Sequence, residues 1–451
     1  MKLYDLTPSQ ENIYMLVTFS LHKQICQLPS SFSINEDIDF NKLEEALNIE
    51  FQRNDAFRVR FTKEKRKIKQ YFLDEYKVSN ISVYNFSNEE EKEEFFLERA
   101  KKTLHFLKGE LFDICFFKDH KGYSGVYFNC SHLVIDAMGI QIFYLDLLNI
   151  YRALVGKSEM PKPLYSFEEY INTDLGRYKD EKILSSGEAF YKNYFGEYGE
   201  PYYASVAGPA LLEKERKRKR NPNLMSTTGA YSPLNDKGDY LKFTLSEEES
   251  KKILNYCEKN NVSPEILFLM GARTHISKIN NRNPYSFLNL MCNKRTNFKE
   301  KYMGGCLAQT LQIITNLDEN KTFREGIQEM TRVRTELFRN IYYPYPYARN
   351  LLRKMYNLKA TQGQASFMLS WIPLTDLEID FEYTSYYRKR TFNPLYILTS
   401  TDTNNNIFIQ YTYRTKIMTK EDVCSLHTNM FKIISKAIDN PDITLKELMD
   451  L

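Results

Sequence analysis

The sequence of 451 residues predicts a mixed α/β fold, an α+β sandwich built as two similar halves. Helix-like and strand-like segments alternate with hairpins, which is not the pattern of a doubly wound parallel sheet. The length exceeds that of one ordinary hydrophobic core. An irregular stretch, 201–239, separates two parts with similar layouts. We therefore predict an N-terminal subdomain over 1–175, a connecting helix and basic linker over 176–239, and a C-terminal subdomain over 240–451.

The elements of the first half follow from local patterns. Thr7, Pro8 and Gln10 form a capping-box start for the first helix. Alternating β-favouring residues predict strands, and apolar residues three and four apart predict helices. Strands are expected at 31–34, 57–61, 68–72, 111–117 and 123–130, and helices at 39–52 and from 88 to about 106.

The second half repeats this layout. Ser246 and Glu249 form another capping box, and Ser263 followed by Pro264 begins a further helix. Two halves of comparable content suggest a pseudo-dimer with a cleft between them, where a ligand usually binds. Strands are expected at 240–245, 285–291, 307–314, 366–371, 395–400 and 407–413, and helices at 174–198, 246–260, 264–279, 323–338, 347–356 and 419–438.

The composition excludes several classes of protein. A net charge of +4 gives little reason to expect nucleic acid as a partner. There is no apolar run of membrane-spanning length and no signal peptide, so we expect a cytoplasmic protein that does not bind membranes. The seven cysteines lack metal-ligand spacing and are expected to be reduced, buried thiols, with no metal bound. Walker and Rossmann glycine patterns are absent, which argues against nucleotide chemistry.

The stretch from Gly122 to Leu154 carries the candidate site. A strand leads into Ser131 and His132, and Asp136 stands four residues later at the start of an amphipathic helix. A strand, loop and helix of this kind can hold an imidazole rigidly, and a group with a pKa near neutrality suits a general base. The remaining histidines are expected to be structural or exposed: His22, His105, His120, His275 and His427.

Several separated segments follow one another in a recognisable order. They are LTPSQENIY near the N-terminus, RNDAFRVRF at 53–61, SHLVIDA at 131–137, the passage from 245 to 295, and GCLAQTL at 305–311, with shorter matches at 343–345 and 393–395. In this order they resemble the signatures of the condensation domains of nonribosomal peptide synthetases, which belong to the chloramphenicol-acetyltransferase-like acyltransferases. The resemblance runs nearly end to end.

This resemblance implies two chloramphenicol-acetyltransferase-like subdomains in a V-shaped pseudo-dimer with a central tunnel. An acyl donor and a nucleophile would enter from opposite faces, each on the phosphopantetheine arm of a carrier protein or of coenzyme A, with no cofactor bound to the enzyme. His132 occupies the position of the family's catalytic histidine. Asp136 occupies that of its structural aspartate, and Arg295 that of the arginine which pairs with it.

The central motif departs from the family pattern at two positions. Ser131 replaces a supporting histidine and is expected to be a packing substitute, since no GxSxG elbow marks it as a nucleophile. Ala137 replaces a glycine, and its Cβ would narrow the tunnel. A hydroxyl or backbone N–H within 131–139 is the expected oxyanion donor. The candidates for the tunnel or oxyanion region are Ala137, Gly139, Gly305 and Gln309.

The leading hypothesis is a condensation enzyme that joins an acyl or peptidyl thioester to a small-molecule amine, forming an amide. The chain begins shortly before the first signature and ends after the closing helix, so we expect a stand-alone monomer that meets carrier proteins in trans. The basic run 214–220 is expected to be a solvated loop. Its alternative role is to dock an acidic carrier protein or coenzyme A phosphates through Lys214, Arg216, Lys217 and Arg218.

Two other functions remain open. One is an acyl-coenzyme-A-dependent N- or O-acyltransferase that acts on a free small acceptor. The other is a degenerate condensation-like module that recruits partner proteins without chemistry, a hypothesis motivated by Ser131 and Ala137.

Overall fold

A computed structural model describes residues 2–228, 230–359, 362–374 and 379–451, and it confirms the mixed α/β fold class. The strands are β1 (Tyr4–Asp5), β2 (Gln27–Ile34), β3 (Val59–Glu64), β4 (Lys67–Phe72), β5 (Val83–Asn85), β6 (Phe112–Lys118), β7 (Ser124–Ser131), β8 (Gly238–Thr244), β9 (Tyr285–Asn293), β10 (Ala308–Asn316), β11 (Met368–Trp371), β12 (Phe381–Ser385), β13 (Leu395–Thr401) and β14 (Ile407–Arg414). The helices are α1 (Pro8–Phe19), α2 (Phe40–Arg53), α3 (Glu89–Arg99), α4 (Ala137–Leu154), α5 (Phe167–Arg177), α6 (Glu181–Tyr198), α7 (Ala210–Lys219), α8 (Glu247–Asn260), α9 (Pro264–Ile279), α10 (Phe298–Lys301), α11 (Phe323–Arg339), α12 (Tyr345–Met355), α13 (Lys420–Asp439) and α14 (Leu445–Met449).

The chain forms two compact units, and neither is continuous in sequence. The first unit comprises Met1–Asp180, Asn293–Ala308 and Leu374–Arg388, and the second comprises Glu181–Cys292, Gln309–Pro373 and Lys389–Leu451. The boundaries predicted near residues 175 and 240 treated each half as one stretch, whereas two segments of the C-terminal half pack within the first unit.

The first unit is built on a five-stranded sheet with the order β12-β2-β7-β6-β5. Strand β7 lies at its centre, and all eight of its residues are buried. Helix α4 covers this strand: Phe143 stacks on Phe128 at 4.5 Å, and Phe57 contacts both rings. Burial of three such rings, together with their edge-to-face contacts, fixes α4 on the sheet. The loop between β7 and α4 is therefore anchored at both ends.

The second unit contains a six-stranded mixed sheet with the order β10-β9-β11-β13-β14-β8. Helix α9 is buried throughout its middle, from Ile266 to Ser277. Gly271 permits its close packing on α13, because an added Cβ would lie 2.7 Å from the side chain of Ile434. Among the described residues, none of the helices has the length and apolar character needed to cross a bilayer.

Most predicted elements are confirmed, and the exceptions have physical reasons. The helix expected from 88 to about 106 ends at Arg99, because the side chain of Gln27 instead accepts the N–H of Leu104 and donates to the carbonyl of Lys102. The basic run was expected to be a loop, which is wrong, because 210–219 form helix α7. The helix expected over 174–198 is two helices, α5 and α6. The sequence patterns did not predict β1, β5, α10, β12 and α14.

Candidate active site

His132 lies in the loop that joins β7 to α4, and backbone hydrogen bonds fix it there. The N–H of His132 donates to the carbonyl of Cys26 at 2.9 Å. The N–H of Val134 donates to the carbonyl of Ser131 at the same distance, which closes a tight turn. Ser131 itself is buried and is opposite Gln27 in the antiparallel pairing of β2 with β7. The imidazole therefore projects from a backbone that is held on both sides.

Asp136 ends this loop as the N-cap of α4. Its Oδ1 accepts the N–H of Gly139 at 2.8 Å, which satisfies one of the unpaired donors of the first helical turn. The same carboxylate accepts Nη1 of Arg295 at 3.0 Å on Oδ1 and at 2.8 Å on Oδ2. Oδ2 also accepts the N–H of Leu307 at 2.7 Å. The structure thus brings together Asp136 and Arg295, the two residues that the sequence placed at paired family positions.

Arg295 belongs to the first unit, on the segment Asn293–Ala308. Its Nη2 donates to the carbonyl of Gly305 at 3.1 Å, and that carbonyl also accepts the N–H of Asp136 at 3.3 Å. A further hydrogen bond joins Nη1 to Oδ1 of Asn293 at 3.0 Å. This ion pair therefore connects the loop carrying His132 to a segment that follows it by more than 150 residues.

The pair is buried, and this decides its charge state. Asp136 is 3% exposed and Arg295 is 6% exposed. Burial alone would raise the pKa of Asp136, but the charge and hydrogen bonds of Arg295, with the N–H groups of Gly139 and Leu307, more than offset it and hold this pKa below its usual value. Asp136 is accordingly a carboxylate at neutral pH.

The electrostatic surroundings of His132 favour its neutral form. Its side chain is partly exposed, and burial of the ring lowers its pKa below the ordinary value. Asp136 and the backbone carbonyls of His132 and Ile135 act in the opposite direction, and Arg388 adds to the lowering. The net decrease leaves an uncharged imidazole at neutral pH, which can accept a proton.

Two neighbours of His132 were not predicted from the sequence. Sγ of Cys306, which is fully buried, lies 3.9 Å from Nδ1 of His132. Arg388 follows β12 and donates to the carbonyl of Gln27, at the end of β2 nearest the loop. The resemblance assigned no role to Cys306, and no spacing pattern in the sequence connects it with His132. No local pattern connects Arg388 with a histidine so far away in sequence.

The sequence matches one protein family along almost its entire length. A family model described as the condensation domain matches residues 1–450. The chain belongs to the condensation domain family. Surfactin synthase subunit 1 of Bacillus subtilis (strain 168) is 23% identical over 457 residues, and bacitracin synthase 1 of Bacillus licheniformis is 20% identical over 455 residues. Both alignments cover 99% of this chain, which spans 12% and 8% of the lengths of these relatives.

Solved condensation domains share the fold. The first condensation domain of the calcium-dependent antibiotic synthetase, in complex with a substrate analogue, has a TM-score of 0.80 at 14% identity and covers 99% of both chains. A mutant of the starter condensation domain of rhizomide synthetase, in complex with C8-CoA, has a TM-score of 0.79 at 13% identity and covers 98% of this chain and 96% of that one. Condensation domains are acyltransferases that form amide bonds, and they work with substrates bound to carrier proteins.

The glycines of this condensation domain have defined packing roles. Gly305 has a φ of 95°, and a Cβ there would collide with the ring of Phe167. At Gly139 a Cβ would collide with the side chain of Ile135. Because the N–H of Gly139 already donates to Asp136, it is not an available oxyanion donor. Ala137, the first residue of α4, is partly buried beside this cap.

The other predicted site residues lie in the second unit. Gln309 donates its Nε2 to the carbonyls of Ile341 at 2.6 Å and Tyr343 at 3.3 Å, so its amide serves the packing of that unit. On α7, Nε of Arg216 donates to the carbonyl of Leu224 at 2.9 Å. The guanidinium of Arg218 pairs with Glu215 at 2.7 Å. Exposed lysines complete the charged face of this helix: Lys214 and Lys217.

One group of carboxylates has the spacing of a metal site. Ligand oxygens of Glu89, Asp119 and Glu382 lie within 4.8 Å of one another. The ammonium of Lys92 contacts all three, at 3.0, 2.9 and 3.3 Å respectively, and is 6% exposed. This ammonium supplies the positive charge that the cluster requires, so the carboxylates act here in ion pairs that attach β12 to α3.

Proposed function

We propose that this condensation-family chain transfers an acyl or peptidyl group from a phosphopantetheine thioester to a small-molecule amine, forming an amide in nonribosomal peptide or related natural-product biosynthesis. One observation carries the proposal: His132 is a partly exposed, neutral imidazole at the end of a buried strand, on a loop fixed by Asp136. A neutral imidazole held in this way can take a proton from a reacting amine. His132 is therefore the proposed catalytic residue.

The reaction requires one bond to form and one to break. The amine nitrogen attacks the thioester carbonyl, a C–N bond forms, and the C–S bond breaks from the tetrahedral intermediate. His132 takes a proton from the nitrogen and returns it to the departing sulfur, so the products are an amide and a free phosphopantetheine thiol. A positioned base contributes about 10²- to 10⁴-fold in rate. Alignment of the two tethered substrates supplies a further part of the rate enhancement.

Asp136 is proposed to position His132 rather than to react. Its two oxygens already accept from Gly139, Leu307 and Arg295, at distances of 2.7 to 3.0 Å. A carboxylate engaged in this way and held ionised is not a proton acceptor at neutral pH. Ser131 is proposed to support the loop from within β7, where it is buried opposite Gln27.

The proposed partners follow from the family. Donor and acceptor would arrive on acyl or peptidyl carrier proteins acting in trans, with the phosphopantetheine arm belonging to the substrate and no cofactor bound to the enzyme. The basic face of α7, with its exposed Lys214 and Lys217, is proposed to attract an acidic carrier protein. We propose that the chain acts as a monomer in the cytoplasm.

A second candidate function has a specific observation in its favour. One structural neighbour, the starter condensation domain of rhizomide synthetase, was solved in complex with C8-CoA. Transfer from acyl-coenzyme A to a free acceptor would use the same base and the same bond changes, because both donors end in a phosphopantetheine thioester. The two candidates therefore differ in the donor, and an experiment can separate them.

The test presents the chain with each donor in turn. An acyl-loaded carrier protein or acyl-coenzyme A is mixed with a panel of amines, and the amide product is measured by mass spectrometry. The variants are His132→Ala and, as a matched control, His120→Ala, which removes an exposed histidine between β6 and β7. We expect turnover in the wild type and the control, and a loss of about 10²-fold or more in His132→Ala.

The outcomes discriminate among the candidates. Transfer from the carrier protein alone supports condensation in trans, and transfer from acyl-coenzyme A alone supports the second candidate. Equal turnover by His132→Ala and the wild type would remove His132 from the mechanism. A folded wild type without product from either donor would overturn the catalytic proposal in favour of a recruiting module.

A further inference from the structure

The thiol of Cys306 faces the imidazole that is proposed to do the chemistry. Sγ lies 3.9 Å from Nδ1, within the range of a weak hydrogen bond to sulfur. Cys306 is fully buried, and burial raises the pKa of its thiol far above the usual value. At neutral pH this cysteine is therefore an uncharged thiol, neither a nucleophile nor a competing base.

The backbone on both sides of Cys306 is attached to the His132 loop. The carbonyl of Gly305 accepts the N–H of Asp136 at 3.3 Å. The N–H of Leu307 donates to the carboxylate of Asp136 at 2.7 Å. Because Asp136 holds the backbone of both Gly305 and Leu307, Cys306 between them has little conformational freedom. Its side chain is delivered to the ring of His132, four residues before Asp136.

The groups around the ring favour one tautomer. The backbone carbonyls of His132 and Ile135 raise the pKa of the imidazole, so they favour a proton on the ring nitrogen nearest to them. Nδ1 is the ring nitrogen nearer to the backbone, so the carbonyl of His132 favours the tautomer that carries the proton on Nδ1. Sulfur beside Nδ1 can serve as a second, weak acceptor for this N–H. The lone pair then lies on Nε2, which is the arrangement that a base acting through Nε2 requires.

We infer that Cys306 is a positioning residue: its thiol packs against Nδ1 of His132, keeps the proton on that nitrogen and directs Nε2 away from the protein interior. This inference rests on the proposed function of His132 as the base. Three charged or titratable groups face the ring from three segments: Asp136 at the start of α4, Arg388 after β12, and Cys306. Cys306 is the neutral member, so it acts by contact rather than by charge.

Cys306→Ala removes this contact and should leave the imidazole freer to rotate and to change tautomer. Misplacement of a base reduces the chemical step more than substrate binding, so kcat should fall about 10-fold with KM within about 2-fold of the wild type. The acidic limb of the pH profile should move to higher pH, because water entering beside the ring relieves the burial that lowers its pKa. Cys306→Ser restores a small acceptor and should recover most of kcat.

A matched control removes a different buried thiol. Cys257, on α8 in the second unit, is 4% exposed, and burial raises its pKa to about 12. Cys257→Ala should leave kcat and the pH profile unchanged. Thermal unfolding of both alanine variants shows whether a loss of activity reflects unfolding.

The deciding readout does not depend on activity. The 451-residue chain is labelled with ¹⁵N in its six histidines, and the imidazole signals of His132 are identified by their absence in His132→Ala. We expect protonated Nδ1 and bare Nε2 in the wild type and in Cys306→Ser, and a mixture of tautomers in Cys306→Ala. Unchanged ¹⁵N signals and an unchanged kcat in Cys306→Ala would overturn the inference. Failure of the proposed function gives different results, namely no product from the wild type with either donor, or full activity of His132→Ala.

Discussion

Arg295→Ala leaves the buried carboxylate of Asp136 without the guanidinium that faces it. The substitution removes two contacts to Asp136, at 2.8 and 3.0 Å, and the contact with the carbonyl of Gly305 at 3.1 Å. Removing one partner of a buried ion pair typically costs about 3–5 kcal/mol, because the other charge remains desolvated. We expect a loss of this size in the free energy of unfolding at pH 7.

The loss should depend on pH. In the wild type the pKa of Asp136 is depressed, so its contribution to stability is present above the unfolded value of about 3.9 and is lost as the pH falls through the folded value. In Arg295→Ala burial acts without an opposing charge, so the same pKa rises and Asp136 takes up a proton more readily. The difference between the two proteins should therefore shrink as the pH falls towards about 4.

Urea unfolding, monitored by hydrogen exchange with mass spectrometry, measures this loss of stability in the first unit, which contains Asp136 and Arg295. The single tryptophan, Trp371, lies in the second unit, whereas peptides from 131–154 and 293–308 report on the first. The matched control is Arg152→Ala, which removes an arginine that pairs with Glu36 at 2.7 Å in the same unit but is 26% exposed. We expect the control to lose at most about 1 kcal/mol.

A second variant separates charge from packing. Arg295→Ala combined with Asp136→Asn removes the buried charge. The single Asn oxygen can still accept one of the two N–H groups, of Gly139 or of Leu307, that the two carboxylate oxygens accept in the wild type. The double variant should be more stable than Arg295→Ala at pH 7. If Arg295→Ala unfolds within about 1 kcal/mol of the wild type, with unchanged exchange in both peptides, the ion pair does not hold the loop and the reasoning is refuted.

Two other substitutions test the packing around the site. Glu50 is fully buried, and burial, followed by the nearby Asp146, raises its pKa well above the usual value. The stability linked to its proton is therefore lost as the pH rises through this raised, folded-state pKa. Glu50→Gln should be more stable than the wild type at pH 8, and the gap should close by up to about 1.4 kcal/mol per pH unit as the pH falls; equal urea midpoints at pH 8 would contradict this. Gly305→Ala should lower stability by about 2 kcal/mol or more, because its φ of 95° and the ring of Phe167 exclude a Cβ. Thermal unfolding measures this effect, and a variant as stable as the wild type would show that the segment can adopt another conformation.

Local sequence patterns predicted those elements whose ends are set by their own residues. Helix α9 begins after Ser263 with Pro264 and ends at Ile279, as expected, and Thr7 with Gln10 forms the predicted capping box of α1. Helix propensity was also present in α7, with its Glu, Lys and Arg residues, but the flanking Gly and Pro residues favoured a loop. Helix propensity and capping residues were therefore sufficient to predict a helix where the flanking residues did not favour a loop.

Long-range contacts determined the rest. Strand β12 is short, and it forms on β2, from which it is separated by more than 340 residues. The position of Arg295 was expected from the resemblance alone, since no spacing rule connects it to Asp136. The contact between Cys306 and His132 depends on the fold of the segment 293–308, which no local pattern specifies. The motif therefore identified the loop, while the residues packed against it required the structure.

The most direct test of the central claim is a single-turnover measurement of amide formation with His132→Ala. Enzyme in excess over an acyl-loaded carrier protein is mixed with amine, and the rate of the chemical step is compared with those of the wild type and His120→Ala. If His132 is the base, the rate for His132→Ala is at least about 10²-fold lower, with folding unchanged and the control at the wild-type rate. A wild-type rate in a folded His132→Ala would contradict this role.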